Sequence, residues 1–373
     1  MKRSSLLCLA GLAGLLWSSA ATAQPEDKGA PLSKVERKSR APVSKEVLRV
    51  QLPRPAEATL ESGLTVLILE DHRLPQVTAL FSISGAGGLH DPPDQPGLAQ
   101  ATASMLREGT ATRSSKEIAE ALDRLGVVSM GGAGFGQDDA TFSARGLSDN
   151  LDEWFPVALD VLLHPTFPEA ELGKFKVRAK VRLKQQRSDP GFLAQERFSR
   201  AVFGEHPAAI VSATPRSIDA LSSAALQRWH KERYAPQNAI LAIAGDVKEA
   251  ELLAKLKKWT ADWQRSNFKP ALPKSPQMAA GKRVFLVERP DSVQTTVAMG
   301  NLGVDRRSTD YIPLVVTNRI FGGGPSARLF LNLREAKGYT YGVYSAIQAL
   351  QYPGPFRAGG DMRTGVTDEA LGE

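Results

Sequence analysis

Arg334 and Tyr341 place a guanidinium and a phenol seven positions apart, shortly after the run Phe321-Gly322-Gly323-Gly324-Pro325-Ser326. Both groups donate hydrogen bonds, and donors of this kind can hold an oxygen that carries or gains negative charge. Each residue taken singly has a plainer use: Arg334 caps a helix C-terminus or pairs with an exposed acid, and Tyr341 opens an ordinary strand. Gly322, Gly323 and Gly324 suggest a phosphate loop, but no G-K-[ST] and no G-x-G-x-x-G accompanies them, so that reading is weak. Metal chemistry has little to draw on. None of His72, His90, His164, His206 and His230 lies within three or four residues of another, so a helical i,i+4 zinc pair is absent. The single cysteine, Cys8, sits in the N-terminal apolar stretch and leaves the rest of the chain without a thiolate.

A second stretch, Gly97 to Thr110 (GLAQATASMLREGT), has a helical period. It places Leu98, Ala101, Thr102 and Met105 on one face and the small, polar Gln100, Ala103 and Ser104 on the other. With its lead-in Gly88-Leu89-His90-Asp91-Pro92 it resembles the insulinase/pitrilysin family of zinc metallopeptidases, where an inverted H-x-x-E-H motif sits between G-L-A and M-L-x-x-G-T. The resemblance extends to Phe203-Gly204-Glu205-His206-Pro207, Tyr234-Ala235-Pro236-Gln237-Asn238-Ala239 and Gly245-Asp246. Here the motif reads Gln100-Ala101-Thr102-Ala103-Ser104, so both histidine positions and the glutamate position are replaced. The family's third ligand, a glutamate, aligns with Val181 or Arg182, in a run without a carboxylate. Zinc needs imidazole, thiolate or carboxylate ligands, and hydrolysis needs a base for the bound water.

The resemblance implies a catalytically silent homologue with no metal site of its own. It also implies a family second domain in which the glycine-rich loop precedes a helix and an Arg/Tyr pair, here Arg334 and Tyr341, reaches a zinc site. Some bacterial members work as two chains, one bearing zinc and one bearing that pair. By that likeness this chain is the non-catalytic subunit, its partner a zinc-bearing insulinase-family subunit, and its ligand a peptide. The peptide is expected against an exposed strand near Ala140-Thr141-Phe142-Ser143-Ala144, with Gly134-Phe135 where the family has an Asn-Ala-type turn. The competing readings are a structural or peptide-holding homologue with no part in catalysis, and an autonomous zinc protease with unusual ligands.

The elements that position these residues are α and β in mixture. Leu64–Leu69 and Val77–Ile83 read as paired strands, and helical periods run over 97–107, 115–125, 150–163, 169–187 and 218–233. A strand over 238–244 and a helix over 249–264 follow. The pattern then restarts. Val284–Arg289 resembles Leu67–Asp71, Gln294–Met299 resembles Gln76–Phe81, and Leu333-Arg334 before Gly338 resembles Leu122 to Gly126. An offset of about 210 to 220 residues implies a duplicated domain rather than a solenoid. The expected architecture is α+β: two homologous α/β-sandwich domains, at 48–268 and 282–373, joined by a Pro-bearing linker at 269–281. The second is incomplete, and the sequence reads as a fragment.

With 373 residues there is room for two or three domains, and 42% hydrophobic with 23% charged residues excludes a wholly disordered or collagen-like chain. Lys2 and Arg3, the apolar Leu6–Leu16 and Ala21-Thr22-Ala23 form a signal-peptide pattern over residues 1–23, cleaved near Ala23, with a polar linker at 24–47. The expected location is periplasmic or secreted. The charge of +7 could suggest a polyanion as partner, but export argues against nucleic acid, and cleavage leaves 45 − 40 = +5. No later stretch reaches 18 uninterrupted apolar residues, so no stable membrane insertion is expected.

Overall fold

A computed structural model describes residues 52–278 and 280–373. The expected signal peptide, Cys8 and the 24–47 linker lie outside the described residues. Among the described residues nine strands make two sheets: β1 (Ala56–Thr59), β2 (Thr65–Glu70), β3 (Gln76–Ser84), β4 (Val128–Ala133), β5 (Asp139–Leu147) and β6 (Ala239–Gly245) in the first, and β7 (Gln294–Leu302), β8 (Thr340–Ile347) and β9 (Pro355–Arg363) in the second. The helices of the first half are α1 (Leu98–Met105), α2 (Ser115–Arg124), α3 (Leu151–Leu163), α4 (Glu169–Gln186), α5 (Pro190–Phe203), α6 (Pro215–Ala220), α7 (Ser223–Arg233) and α8 (Glu249–Trp259). Those of the second are α9 (Tyr311–Phe321), the short α10 (Arg328–Phe330) and α11 (Thr367–Gly372).

The order of the first sheet is β1-β2-β6-β3-β5-β4. Alternation puts Val77, Ala79, Phe81 and Ile83 of β3 into the core, where Phe81 meets Phe142 of β5 and Trp263. Burying a side chain of that size stabilises by about 2–3 kcal/mol. Gly146 lets α3 close down: a Cβ there would stand 2.8 Å from the Trp154 indole nitrogen, which donates to the Leu147 carbonyl at 2.9 Å. The two strands expected to pair, β2 and β3, do not. β6 lies between them, parallel to β2 (Thr65↔Ile240) and antiparallel to β3 (Thr78↔Ala244). The helix expected over 218–233 is two, α6 and α7, because the Ser222 side chain starts a fresh helix by accepting from Ala225 N–H.

The duplication is visible in strand register. β3 and β5 pair end to end over nine residues, Gln76↔Leu147 to Ser84↔Asp139, and β7 and β9 do the same from Gln294↔Arg363 to Leu302↔Pro355. The expected strand Val284–Arg289 is not one. In the first sheet β2 is held by β6, and among the described residues no strand fills that place beside 284–289, so Val284 and Leu286 stay 93% and 89% exposed. The halves meet where α5 packs on β7, and where Tyr352 enters a small apolar cluster with Leu89, Phe203 and Ala208.

Candidate functional site

Helix α1 begins at Gly97, whose φ of 97° is left-handed and suits glycine. The Asp91 carboxylate accepts from Gly97 N–H at 2.6 Å and Ala99 N–H at 2.8 Å, satisfying donors at the helix start. Burial nonetheless pushes the Asp91 carboxyl up to about 6, against the lowering pull of those two bonds and of Arg233. The apolar face of α1 enters the core and the opposite face presses on β4. That approach requires Gly131, since a Cβ there would stand 2.5 Å from the Ala103 carbonyl oxygen.

Between α1 and β4 opens a cavity of about 590 Å³, lined by Gln100, Ser104, Gly131–Gly134, Asp139 and Thr141 among others. Its carboxylate, Asp139, already accepts from the Ser82 hydroxyl at 2.8 Å. The residues present do not fit zinc. At the motif positions stand an amide, a methyl and a hydroxyl, and no group of three or more His, Cys, Asp or Glu that could hold a metal occurs among the described residues. Helix α4, which packs against α1, brings cations instead: Arg178 lies 3.6 Å from Glu108 just past α1, and Arg182 is exposed one turn on.

The strand expected to receive a peptide is misplaced by one. β5, which contains Ala140–Ala144, is paired on both sides, by β3 and β4, and has no free edge. β4 ends the sheet, and its Gly131 and Gly132 line the cavity. Alternating small residues fit both strands, and only the sheet order shows which one is outermost.

Arg334 and Tyr341 are brought together, with the guanidinium 5.4 Å from the phenol ring centroid. Two backbone irregularities aim them. Arg334 sits in a π-helical turn, Leu331–Ala336, that buries Leu333, and Gly338 (φ 64°) ends it by donating to the Arg334 carbonyl at 3.2 Å. Tyr341 falls in a register shift between Thr340 and Val343, held by the Thr340 hydroxyl, which donates to the Asp361 carbonyl at 2.7 Å and accepts from Gly342 N–H at 3.0 Å. The ring is 82% exposed. Gly322 packs against Ser345 of the same strand too closely to admit a Cβ, and Arg319 donates to the Gly323 carbonyl, so the glycine-rich loop braces β8. The second sheet thus gathers Arg334, Tyr341 and Gly322–Gly324, while Gln100, Ala103 and Ser104 belong to the first half.

One tie between the halves leaves no mark in the sequence. The Tyr352 hydroxyl donates to the Gly136 carbonyl at 2.7 Å, and its ring lies tilted against His206, with the ring centroids 4.8 Å apart. Gly136 lies in the loop after β4, whose Gly134 and Gln137 border the cavity. The Tyr352-Pro353-Gly354 run has the composition of a turn, with no signal for its contact.

Comparison with known proteins agrees with this architecture. Residues 65–216 match insulinase (peptidase family M16), and residues 220–372 match the peptidase M16 inactive domain. The chain is 26% identical over 288 residues to an uncharacterized zinc protease, YmxG, of Bacillus subtilis (strain 168), covering 77% of this chain and 68% of that one. An uncharacterized zinc protease of Rickettsia bellii is 28% identical over 298 residues, with the same coverage. The crystal structure of a peptidase M16 inactive domain from Pseudomonas fluorescens superposes with a TM-score of 0.78 at 30% identity, over 86% of this chain and 77% of that one. A protease from Helicobacter pylori has a TM-score of 0.77 at 20% identity, over 86% and 79%, a likeness of fold alone. The chain belongs to the insulinase family, peptidase family M16, and lacks the family's catalytic motif.

Proposed function

We propose that this chain is the non-catalytic subunit of an exported, heteromeric zinc peptidase, contributing Arg334 and Tyr341 to peptide hydrolysis at the site of a zinc-bearing insulinase-family partner. The observation that carries this reading is a contrast within one chain. The α1 positions hold no metal donor set, while a π-helical turn and a strand irregularity present a guanidinium and a phenol side by side to solvent. What supports a chain that does not cut peptides by itself is the first half, which matches the peptidase family yet carries Gln100, Ala103 and Ser104 at the motif positions. No cofactor is assigned to this chain, and zinc is expected in the partner.

In this role the edge of β4 holds a substrate backbone by strand addition, which satisfies peptide groups without reading sequence. Arg334 and Tyr341 donate to the scissile carbonyl oxygen as it gains charge, a contribution present in the transition state and weak in the ground state. The test is reconstitution with a zinc-bearing relative. The chain alone is inert, the mixture cleaves peptide, and Arg334→Ala with Tyr341→Phe lowers kcat of the mixture roughly a hundredfold. An unchanged kcat in an intact complex favours the second reading, a structural or peptide-holding homologue. The cavity beside the free edge of β4 is the observation behind that alternative.

A further inference from the structure

Building on the reading that the edge of β4 holds a substrate backbone, we propose that this edge selects peptides bearing a lysine or arginine, whose cationic head pairs with Asp139. The cavity at the edge draws its lining from both faces of the sheet. Ala140, Phe142 and Ala144 of β5 point into the core, so Asp139 and Thr141 point to the opposite face. Ser82 of β3 shares that face, and its hydroxyl fixes one Asp139 oxygen at 2.8 Å. Gln100 and Ser104 of α1 line the other side. The lining contains one carboxylate, that of Asp139, and no Lys, Arg or His, and among the described residues Asp139 enters no ion pair.

A glycine opens the way from Asp139 to the free edge. Gly132 of β4 stands opposite Thr141, so on this face the outermost strand puts no side chain between the edge and Thr141 or, diagonally, Asp139. A Cβ at Gly132 would meet only the Thr141 hydroxyl, at 3.8 Å, which marks the lane as open space. Gln137, whose side chain packs over Gly134, closes the far end with an amide. A strand added at the edge lies two strand spacings, about 10 Å, from β5. The long stems of lysine and arginine span that gap to the Asp139 carboxylate, and shorter polar side chains do not. Met130 shares the Gly132 face and is 68% exposed, so a peptide side chain two positions from the cation meets an apolar surface.

The fixed charges of the neighbourhood leave this carboxylate as the local field. Arg107 donates to the Ser129 carbonyl at 3.1 Å, and Ser129 lies four residues, about 13 Å of extended chain, before Ala133. Arg145 shares the Asp139 face of β5 but stands six residues, about 20 Å, along it. Asp138 is paired with His90 at 2.6 Å. The whole chain, at +7, draws acidic peptides to its surface at large, so a preference for a basic one reports the carboxylate in the lane and not the net charge.

The experiment is fluorescence anisotropy on the full chain alone, with labelled peptides of about twelve residues that are neutral except for one central position. That position is Lys, Arg, Gln or Glu. The Lys and Arg peptides are expected to bind roughly tenfold more tightly than the Gln peptide, and the Glu peptide most weakly. Asp139→Asn keeps an acceptor for Ser82 and should cancel the preference while the Gln peptide binds as before. Gly132→Val fills the lane, leaves Asp139 in place and should cancel the preference too. Equal binding of the Lys and Gln peptides, or a Lys preference that persists in Asp139→Asn, overturns this inference and leaves the holding of a peptide standing. Binding of no peptide overturns both. Stimulation of a zinc-bearing partner, read by cleavage of the Gln peptide, tests the role of Arg334 and Tyr341 separately.

Discussion

Asp91 and His230 titrate in opposite senses, and replacing one should expose the other. Burial raises the Asp91 carboxyl from 3.8 to about 6, so its contribution to stability is complete below pH 3.8 and is lost as pH rises through 6. Each tenfold change in proton affinity is worth about 1.4 kcal/mol, so the ionised form costs about 3 kcal/mol, of which about 2 kcal/mol is recovered between pH 7 and pH 4. His230 is buried beneath Tyr234 and Phe167, and its Nε2–H donates to the Leu162 carbonyl at 2.7 Å. Burial lowers it from 6.5 to about 4, so its contribution is complete above pH 6.5, and about 3 kcal/mol is lost as pH falls to 4. In the unaltered chain the two effects largely cancel between pH 7 and 4. Asp91→Asn removes the rising limb. The variant should change little at pH 7, where relief of the buried charge offsets a weakened bond to Gly97 or Ala99. Relative to the unaltered chain it should then lose about 2 kcal/mol by pH 4. Urea unfolding at fixed ionic strength, compared pH by pH, cancels the carboxylates common to both proteins. Parallel profiles would refute the coupling of Asp91 burial to folding.

Three further substitutions test how the cleft is built. Gly131→Ala drives a Cβ to 2.5 Å from the Ala103 carbonyl oxygen, and should lower the unfolding midpoint by about 1–3 kcal/mol equivalent while Gly132→Ala, which meets only Thr141 at 3.8 Å, does not. Tyr352→Phe removes the hydroxyl bond to Gly136 and should cost about 1 kcal/mol in denaturant unfolding. Amide exchange should quicken in the 134–137 loop ahead of the rest of the first sheet, and uniform quickening would argue against a local tie.

What was legible in the sequence was whatever rests on local pattern. β3 and β7 announce themselves by alternation, and their common Gln-led start sets the repeat that the strand registers confirm. Pairing order was not legible, because β6 enters between β2 and β3 from about 160 residues downstream and no local signal records its destination. The same limit misassigned the peptide edge, since β4 and β5 both alternate small residues and only the closed sheet shows which is last. Val284–Arg289 has a strand's composition and no ladder, which shows the reverse case: propensity without a partner strand does not make a strand.

The candidate site divides in the same way. Loss of the metal motif is read directly at Gln100, Ala103 and Ser104, but its depth is a packing property that residue types alone do not report. Ala103 is 2% exposed, and its carbonyl lies against Gly131. A glutamate at 103 would start from a position closed over by β4 and would carry its charge into a desolvated seam. The third ligand's expected position, Val181 or Arg182, lies in α4 in a run without a carboxylate. Restoring the three motif residues alone would therefore add charge to a close-packed seam without completing a ligand set. The packing around Ala103 and the cations of α4 both disfavour return to a metal site, whereas Arg334 and Tyr341 remain presented by elements that no such repacking has touched.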